Sequence, residues 1–326
     1  MSKLVTIFGG SGFVGRHIAR RMAKEGWLVR VAVRRPNEAM FVKPYGAVGQ
    51  VEPVFCNIRD DASVQAVMQG SDAVVNCVGI LADRGKNTFE AVQNEGAERI
   101  ARIAAAEGVA TMVHLSALGA SEESKSKYAR SKAHGEAAVL QHMPNAMILR
   151  PSVIFGQDDE FFNRFASMAR LGPFLPIMGG ETKFQPVYVD DVAQAAVMGI
   201  MGEASGLYEL GGPEVKSLRG WIDEMLTVIH RRKIVINLPF FVGRLMAFGF
   251  GLLQKLTLGL WHNSVITSDQ LILLRSDNVV SDAAKGFEAL GIRPLAPEAI
   301  MADYLWRFRP SGQYDAIKDS ARNLKM

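Results

Sequence analysis

Short apolar runs alternate with longer amphipathic stretches along the first two thirds of the chain. The runs Lys3–Phe8, Trp27–Val33, Val51–Cys56, Ala73–Cys77, Thr111–Leu115 and Ala146–Leu149 predict six strands. The first is apolar and β-branched enough for burial in a parallel sheet. Between them, Arg16–Lys24, Asp61–Gln69, Phe89–Glu107 and Ser126–His142 predict helices. Asp60 or Asp61 suits an N-cap, Ile100, Ile103 and Ala104 keep helical spacing up to Gly108, and Pro144 follows the last helix. This βαβ rhythm predicts an α/β fold, a doubly wound parallel-sheet Rossmann domain with right-handed crossovers.

After Arg150-Pro151 the rhythm loosens. A helix over Glu160–Arg170 precedes a Pro/Gly-rich stretch, Gly172–Gly180. A short strand at Val187–Val189, a helix capped by Asp190 and running to Met201, and a strand at Tyr208–Leu210 follow. Gly211-Gly212-Pro213 is a linker signal, and Ser217–His230 is an amphipathic helix. The expected division is a nucleotide-binding domain over 1–212 and a smaller, mainly helical domain over 213–326, with residues about 156–185 contributing to the second.

Within Leu238–Leu260, Phe241, Leu245, Phe248, Leu252, Leu256 and Leu260 form one apolar stripe. Arg244, Gln254 and Lys255 interrupt it and four glycines weaken it, which argues against a membrane-spanning helix. Two readings stand: a face laid into a membrane interface or a protein groove, or core packing of the smaller domain.

Composition narrows the class. Of 326 residues 48% are hydrophobic and 21% charged, which fits a packed globular chain rather than a disordered one. Net charge is +4, but Lys216–His262 alone holds seven basic residues against Asp223 and Glu224. That local excess suits an anionic partner, such as lipid headgroups or an acidic protein surface. Nucleic acid is not expected, because no reading module accompanies the charge. Cys56 and Cys77 each end an apolar strand and read as small buried hydrophobes in a reducing compartment. The six histidines are scattered, and no metal site is expected. No leader precedes the first strand, so a bacterial cytoplasmic setting is expected.

The chemistry begins where the first strand ends. Gly9, Gly12 and Gly15 have the spacing that lets a backbone turn tightly against a pyrophosphate, with a helix N-terminus following. Gly9, Ser11, Gly12, Phe13, Val14, Gly15 and Arg16 are therefore candidate cofactor contacts. Arg34 and Arg35 end the second strand, where an NAD site would show a carboxylate. Guanidinium groups there suit a 2′-phosphate, so NADP(H) is the expected cofactor, and Arg16 is within reach of the same pocket. On the predicted helix after strand five, Tyr128 and Lys132 share one face. An ammonium beside a phenol lowers its pKa and makes it a usable acid or base.

These pieces together resemble the extended or atypical short-chain dehydrogenase/reductases. The carriers are Gly9–Gly15, Asn57-Ile-Arg-Asp60, Asn76-Cys-Val-Gly79, His114-Leu-Ser-Ala117, Tyr128–Lys132, Arg150–Gly156 and Pro186–Asp191. The resemblance implies that Asn57 and Ile58 border the adenine, and that Val78 and Gly79 pass the nicotinamide ribose. It also implies that Pro151 to Val153 line the nicotinamide, that Ser116 is a structural serine at the site, and that Tyr128 and Lys132 are the catalytic pair. One departure stands out. Ala117 occupies the usual catalytic Ser/Thr position, so a substrate carbonyl lacks one donor, and Ser116 or Ser121 would have to compensate.

The stretches 114–120, 126–133, 155–165 and 268–281 are similar to the NADPH-binding accessory subunits of respiratory complex I, in their alphaproteobacterial type. That resemblance covers nearly the whole chain. It implies a tightly held structural NADPH, contact with other complex I subunits and with inner-membrane lipids, no homo-oligomer, and a peripheral place on the cytoplasmic face of a bacterial inner membrane. A catalytically active NADP-dependent reductase or epimerase acting on a small carbonyl or sugar nucleotide is the alternative. A free NADPH sensor is a third.

Overall fold

The structure is a computed structural model that describes residues 2–256 and 267–314, with side chains of the long C-terminal helix described through Gly249. The chain forms two compact units. The first comprises residues 1–152, 189–211 and 280–294, and the second 153–188, 212–279 and 295–326.

The first unit is built on a seven-stranded parallel sheet. Its strands are β1 (Leu4–Phe8), β2 (Leu28–Val33), β3 (Val51–Phe55), β4 (Ala73–Asn76), β5 (Thr111–Leu115) and β6 (Met147–Pro151), with β11 (Gly206–Leu210) completing it. The spatial order is β11-β6-β5-β4-β1-β2-β3. Strand order therefore reverses between β1 and β4, the switch point at which such sheets bind ligands beyond their carboxyl ends. The helices α1 (Phe13–Lys24), α2 (Asp61–Met68), α3 (Glu95–Ala106) and α4 (Lys127–His142) connect the first strands. Asp60 is the α2 cap, accepting from the Ala62 N–H, and Ser126 caps α4 by accepting from Ala129.

One core cluster in this unit packs Phe8, Val74, Met112 and Ile148 of the sheet against Ala97, Ile100, Ala101 and Ala104 of α3. The spacing of those α3 residues is what turned one helical face apolar in the sequence.

Three local features differ from the sequence expectation. Residues Pro36–Tyr45 form a 3-10 helical segment. The single helix expected over Phe89–Glu107 begins with a π-helical turn, Glu90–Asn94, before α3. Asp190 does not cap its helix, because α6 (Val189–Met201) starts one residue earlier. The Asp190 carboxylate instead takes a two-pronged bond from Arg21 on α1, 2.9 and 2.7 Å, with His17 beside it. These cations hold the carboxyl well below the usual carboxylate range, against the opposing effect of burial.

Among the described residues the second unit has three small two-stranded sheets. β7 (Ile154–Phe155) pairs with β10 (Val187–Tyr188), and β8 (Phe174–Met178) lies parallel to β13 (Ile234–Leu238). β9 (Lys183–Phe184) lies antiparallel to β12 (Lys216–Ser217). The helices α5 (Phe162–Met168), α7 (Leu218–Val228), α8 (Phe240–Leu256), α9 (Ser268–Leu273) and α10 (Pro297–Leu305) accompany them. Their core is aromatic. Trp221 is fully buried against Phe162, and its indole N–H donates to the Phe184 carbonyl at 3.0 Å. Burial of side chains this large contributes about 1.5–3 kcal/mol each.

Along α8, Gly243 and Ala247 face inward, and a Cβ at Gly243 would lie 2.4 Å from Met178 Sδ. Phe241, Leu245 and Phe248 face outward, 63–70% exposed. The described part of the apolar stripe is thus not core. The side chains of Leu252 and Leu256, and residue Leu260, lie outside the described residues. No helix among the described residues is long and apolar enough to cross a membrane.

Candidate nucleotide site

At the end of β1 the chain turns through Gly9, whose φ of +75 favours glycine, and the Gly12 N–H closes the turn on the Gly9 carbonyl at 2.9 Å. A Cβ at Gly15 would lie 2.4 Å from that same oxygen, so only glycine lets α1 approach the strand this closely. α1 begins at Phe13, three residues earlier than the expected start at Arg16, with Gly12 as N-cap. Gly12 offers no side chain to cap the helix, and the N–H groups of Phe13, Val14 and Gly15 have no intrahelical acceptor. Three amide donors and the positive end of a helix dipole thus converge on one spot, a fit for a pyrophosphate.

Around the side expected to hold the adenosine, the structure places the sequence candidates unevenly. Arg34 and Arg35 are exposed at the end of β2. Arg35 Nη1 bonds Glu38 Oε1 at 2.9 Å. Arg16 donates to the carbonyls of Ser11 and Gly12, and its guanidinium lies 5.0 Å from the Phe41 ring centre. The Pro36–Tyr45 segment therefore supplies partners to both Arg16 and Arg35, a role that its weak periodicity hid from the sequence. The Asn57 side chain bonds the Arg59 N–H, and Ile58 packs 2.9 Å from the position a Gly96 Cβ would take.

On the side expected to face the nicotinamide, Val78 and Gly79 lie just past β4, after Cys77. The Val78 N–H donates to Asn76 Oδ1 at 3.0 Å. Lys132 Nζ donates to the Leu115 carbonyl at 2.9 Å and would sit 3.4 Å from a Cβ on Gly79. Gln93, on the π-helical turn, reaches the Ile80 carbonyl with one end and accepts from Ser131 with the other. It ties the strand-end loop to the helix carrying Tyr128 and Lys132. No sequence pattern singled it out. Ser116 is buried and its hydroxyl has no partner. Pro151 ends β6, accepting from the Leu118 N–H. Val153 belongs to the second unit, where its N–H donates to Asn278 Oδ1.

The Tyr128/Lys132 pair departs from the simple expectation. Lys132 Nζ lies 6.0 Å from the Tyr128 ring centre, and Phe89 packs edge-on against that ring. Burial pushes the Tyr128 phenol up to about 12 and the Lys132 ammonium down to about 8, the latter opposed by Glu136. Each group is driven toward its neutral form, so the phenol is not activated by the lysine here. Ala117, at the position where the resemblance implies a hydroxyl donor, offers no hydroxyl. Burial raises Cys56 to about 11 and Cys77 to about 12, so neither is a ready nucleophile. Among the described residues no cluster could hold a metal ion.

Residues 5–211 match the profile described as the NAD dependent epimerase/dehydratase family. The chain belongs to that family. Its match runs through the sheet from β1 to the end of β11 and takes in residues 153–188 of the second unit. A member from Arabidopsis thaliana, NADH dehydrogenase [ubiquinone] 1 alpha subcomplex subunit 9, mitochondrial, is 34% identical over 95% of this chain and 79% of its own length. The NADH-ubiquinone oxidoreductase 40 kDa subunit of Neurospora crassa is 30% identical over 95% of this chain and 80% of its own. A ceramide reductase from Caulobacter vibrioides is 33% identical over 64% of each chain. Among solved structures, the Thermus thermophilus UDP-glucose 4-epimerase complex with NAD has a TM-score of 0.65 at 17% identity, covering 94% of this chain and 99% of its own, which speaks for the epimerase/dehydratase fold alone.

Proposed function

We propose that this chain is an accessory subunit of respiratory complex I, an NADH:quinone oxidoreductase, that holds NADP(H) as a structural group. The observation that carries the reading is the reach of the similarity. Four of the relatives named as subunits of that enzyme match 94–95% of this chain, well past the family's 5–211 segment, and one matches 69%, whereas the ceramide reductase matches 64%. The site chemistry agrees. The pyrophosphate turn is complete, while the carbonyl end has Ala117 and an unactivated Tyr128.

In this reading residues 1–212 hold the nucleotide, with Arg34 and Arg35 on its 2′-phosphate and Lys132 on the nicotinamide ribose. Residues 213–326 dock, with part of 156–185 contributing. Phe241, Leu245 and Phe248 are the apolar contact, and exposed Arg232 and Arg244 face anionic headgroups. The subunit is then peripheral, on the cytoplasmic face of a bacterial inner membrane, and enters the assembly as a single copy.

The test is whether the native protein comigrates with complex I after gentle detergent extraction, and which nucleotide it releases on denaturation. Migration at its own mass, or release of NAD(H) alone, overturns the reading.

The intact Tyr128–Lys132 spacing favours one second reading, an NADP-dependent reductase or epimerase. Substrate-dependent NADPH oxidation abolished by Tyr128→Phe would establish it. Under the first reading Tyr128→Phe leaves assembly intact, while Lys132→Ala weakens nucleotide retention.

A further inference from the structure

The end of β4 carries a polar chain that the nucleotide reading does not use. Asn76 and His114 are register partners on adjacent parallel strands and both are buried. Asn76 Nδ2 lies 3.2 Å from His114 Nδ1, and Asn76 Oδ1 accepts from the Val78 N–H at 3.0 Å. Val78 in turn is 3.3 Å from the position a Cβ on Gly9 would take, so it abuts the pyrophosphate turn.

Donor and acceptor bookkeeping fixes the orientation. The Asn76 oxygen is committed to a backbone N–H, so its amide NH2 points at His114. The imidazole must therefore accept at Nδ1 and carry its proton on Nε2. That Nε2 is buried without a partner. An imidazole is thus a costly way to fill this space, since leucine would fill it with no orphan donor. What leucine lacks is the acceptor. Without it the Asn76 NH2 loses its acceptor, and the amide is held by its oxygen alone.

We propose that His114 is a positioning residue for the nucleotide, acting through the Asn76 amide on the backbone of Val78 and so on the wall of the Gly9 turn. The inference rests on the nucleotide reading above. It gives a role to a residue two strands from the glycine turn, the first of the His114–Ala117 stretch.

The experiment compares NADPH affinity of the full-length protein, stripped of nucleotide, with that of His114→Leu and His114→Gln. Glutamine keeps an acceptor near Nδ1 and cannot be protonated. Binding at least tenfold weaker in His114→Leu, with His114→Gln within threefold of the parent, is expected. Equal binding by parent and His114→Leu overturns the relay while leaving the nucleotide reading in place. A parent that binds no NADPH overturns both. Should His114→Leu fail to fold, nitrogen NMR of the parent decides. A bare Nδ1 and a protonated Nε2 are expected, and a protonated Nδ1 overturns the proposal.

Discussion

Arg150 grips Glu136 with two prongs, Nε to Oε1 at 2.8 Å and Nη2 to Oε2 at 2.6 Å. The pair joins β6 to the helix that carries Tyr128 and Lys132. Glu136 is nearly inaccessible, and Arg150 reaches a second carboxylate, Glu209, at 3.7 Å. Glu209 itself accepts from the Ser281 backbone and hydroxyl. Removing one member strands a buried charge, at a typical cost of about 3–5 kcal/mol. Arg150→Met is expected to lower unfolding free energy by about 3 kcal/mol in a denaturant titration, whereas the double change Arg150→Met with Glu136→Leu recovers part of it. A single-variant loss under about 1 kcal/mol would show that the pair is not a clamp.

The glycine turn gives a sharper test. Ala at Gly15 puts a methyl 2.4 Å from the Gly9 oxygen and 2.7 Å from the Gly10 Cα, both backbone atoms that cannot swing away. Gly15→Ala should cost about 1–3 kcal/mol, as overpacking does, and should empty the protein of nucleotide. Gly26→Ala is the control, since it has open space but a φ of +79, and should cost stability without touching nucleotide content. Full nucleotide occupancy in Gly15→Ala would contradict the site.

Acid should destabilise the fold through His114. Burial and the nearby Lys132 charge push its pKa from 6.5 down to about 3. In the fold it stays neutral, while the unfolded chain takes up a proton below about 6.5, so the unfolded state binds more protons between those values. Stability therefore falls as pH drops from 6.5 toward 3, by about 1.4 kcal/mol per pH unit from this group. Between pH 7 and pH 5 the parent should lose about 2 kcal/mol more than His114→Gln. Identical pH slopes in urea titrations would remove His114 as the cause.

Docking through the second unit is tested on α8. Of the basic run before β13, Arg231 donates to the Phe308 carbonyl and Lys233 to the Gly172 carbonyl, so Arg232 is the exposed member. Phe241→Asp with Phe248→Asp should release the subunit from membranes, and Arg232→Glu with Arg244→Glu should weaken it by about 1 kcal/mol per charge at modest salt. Salt alone should extract the parent only in part, because apolar burial is not screened. Retention of the double Asp variant on washed membranes at the parent level would refute docking by this face.

Much of the first unit was legible because its signals are local. An apolar run and a glycine turn announce β1 and α1, and Thr111–Leu115 reads as a strand with the bounds it has. Asp190 misled for a related reason: an acidic residue before an apolar run looks like a cap, and only the distant Arg21 makes it something else. The second unit was harder. β8 carries Pro176 and pairs with β13, some sixty positions away, so neither strand had a local hairpin to announce it. Of the site, the glycines and the Tyr128/Lys132 spacing stood out in sequence. Asn76 stood out only within the Asn76–Gly79 stretch, with no role of its own, and Gln93 did not, because their partners are backbone atoms and side chains brought in by the fold.

The return of residues 280–294 to the first unit has a consequence for how the protein is made. Glu209 closes its last bonds on Ser281, and its own N–H donates to the Lys285 carbonyl at 2.9 Å. A chain emerging from the ribosome therefore holds all seven strands once Leu210 has been made, but the outer edge of β11 gains its Ser281 and Lys285 bonds only after residues 212–279 of the second unit. A cut at residue 212 therefore leaves the sheet with its strands but with the Glu209 edge unbonded, so the two units cannot be separated by one cut without loss to the first.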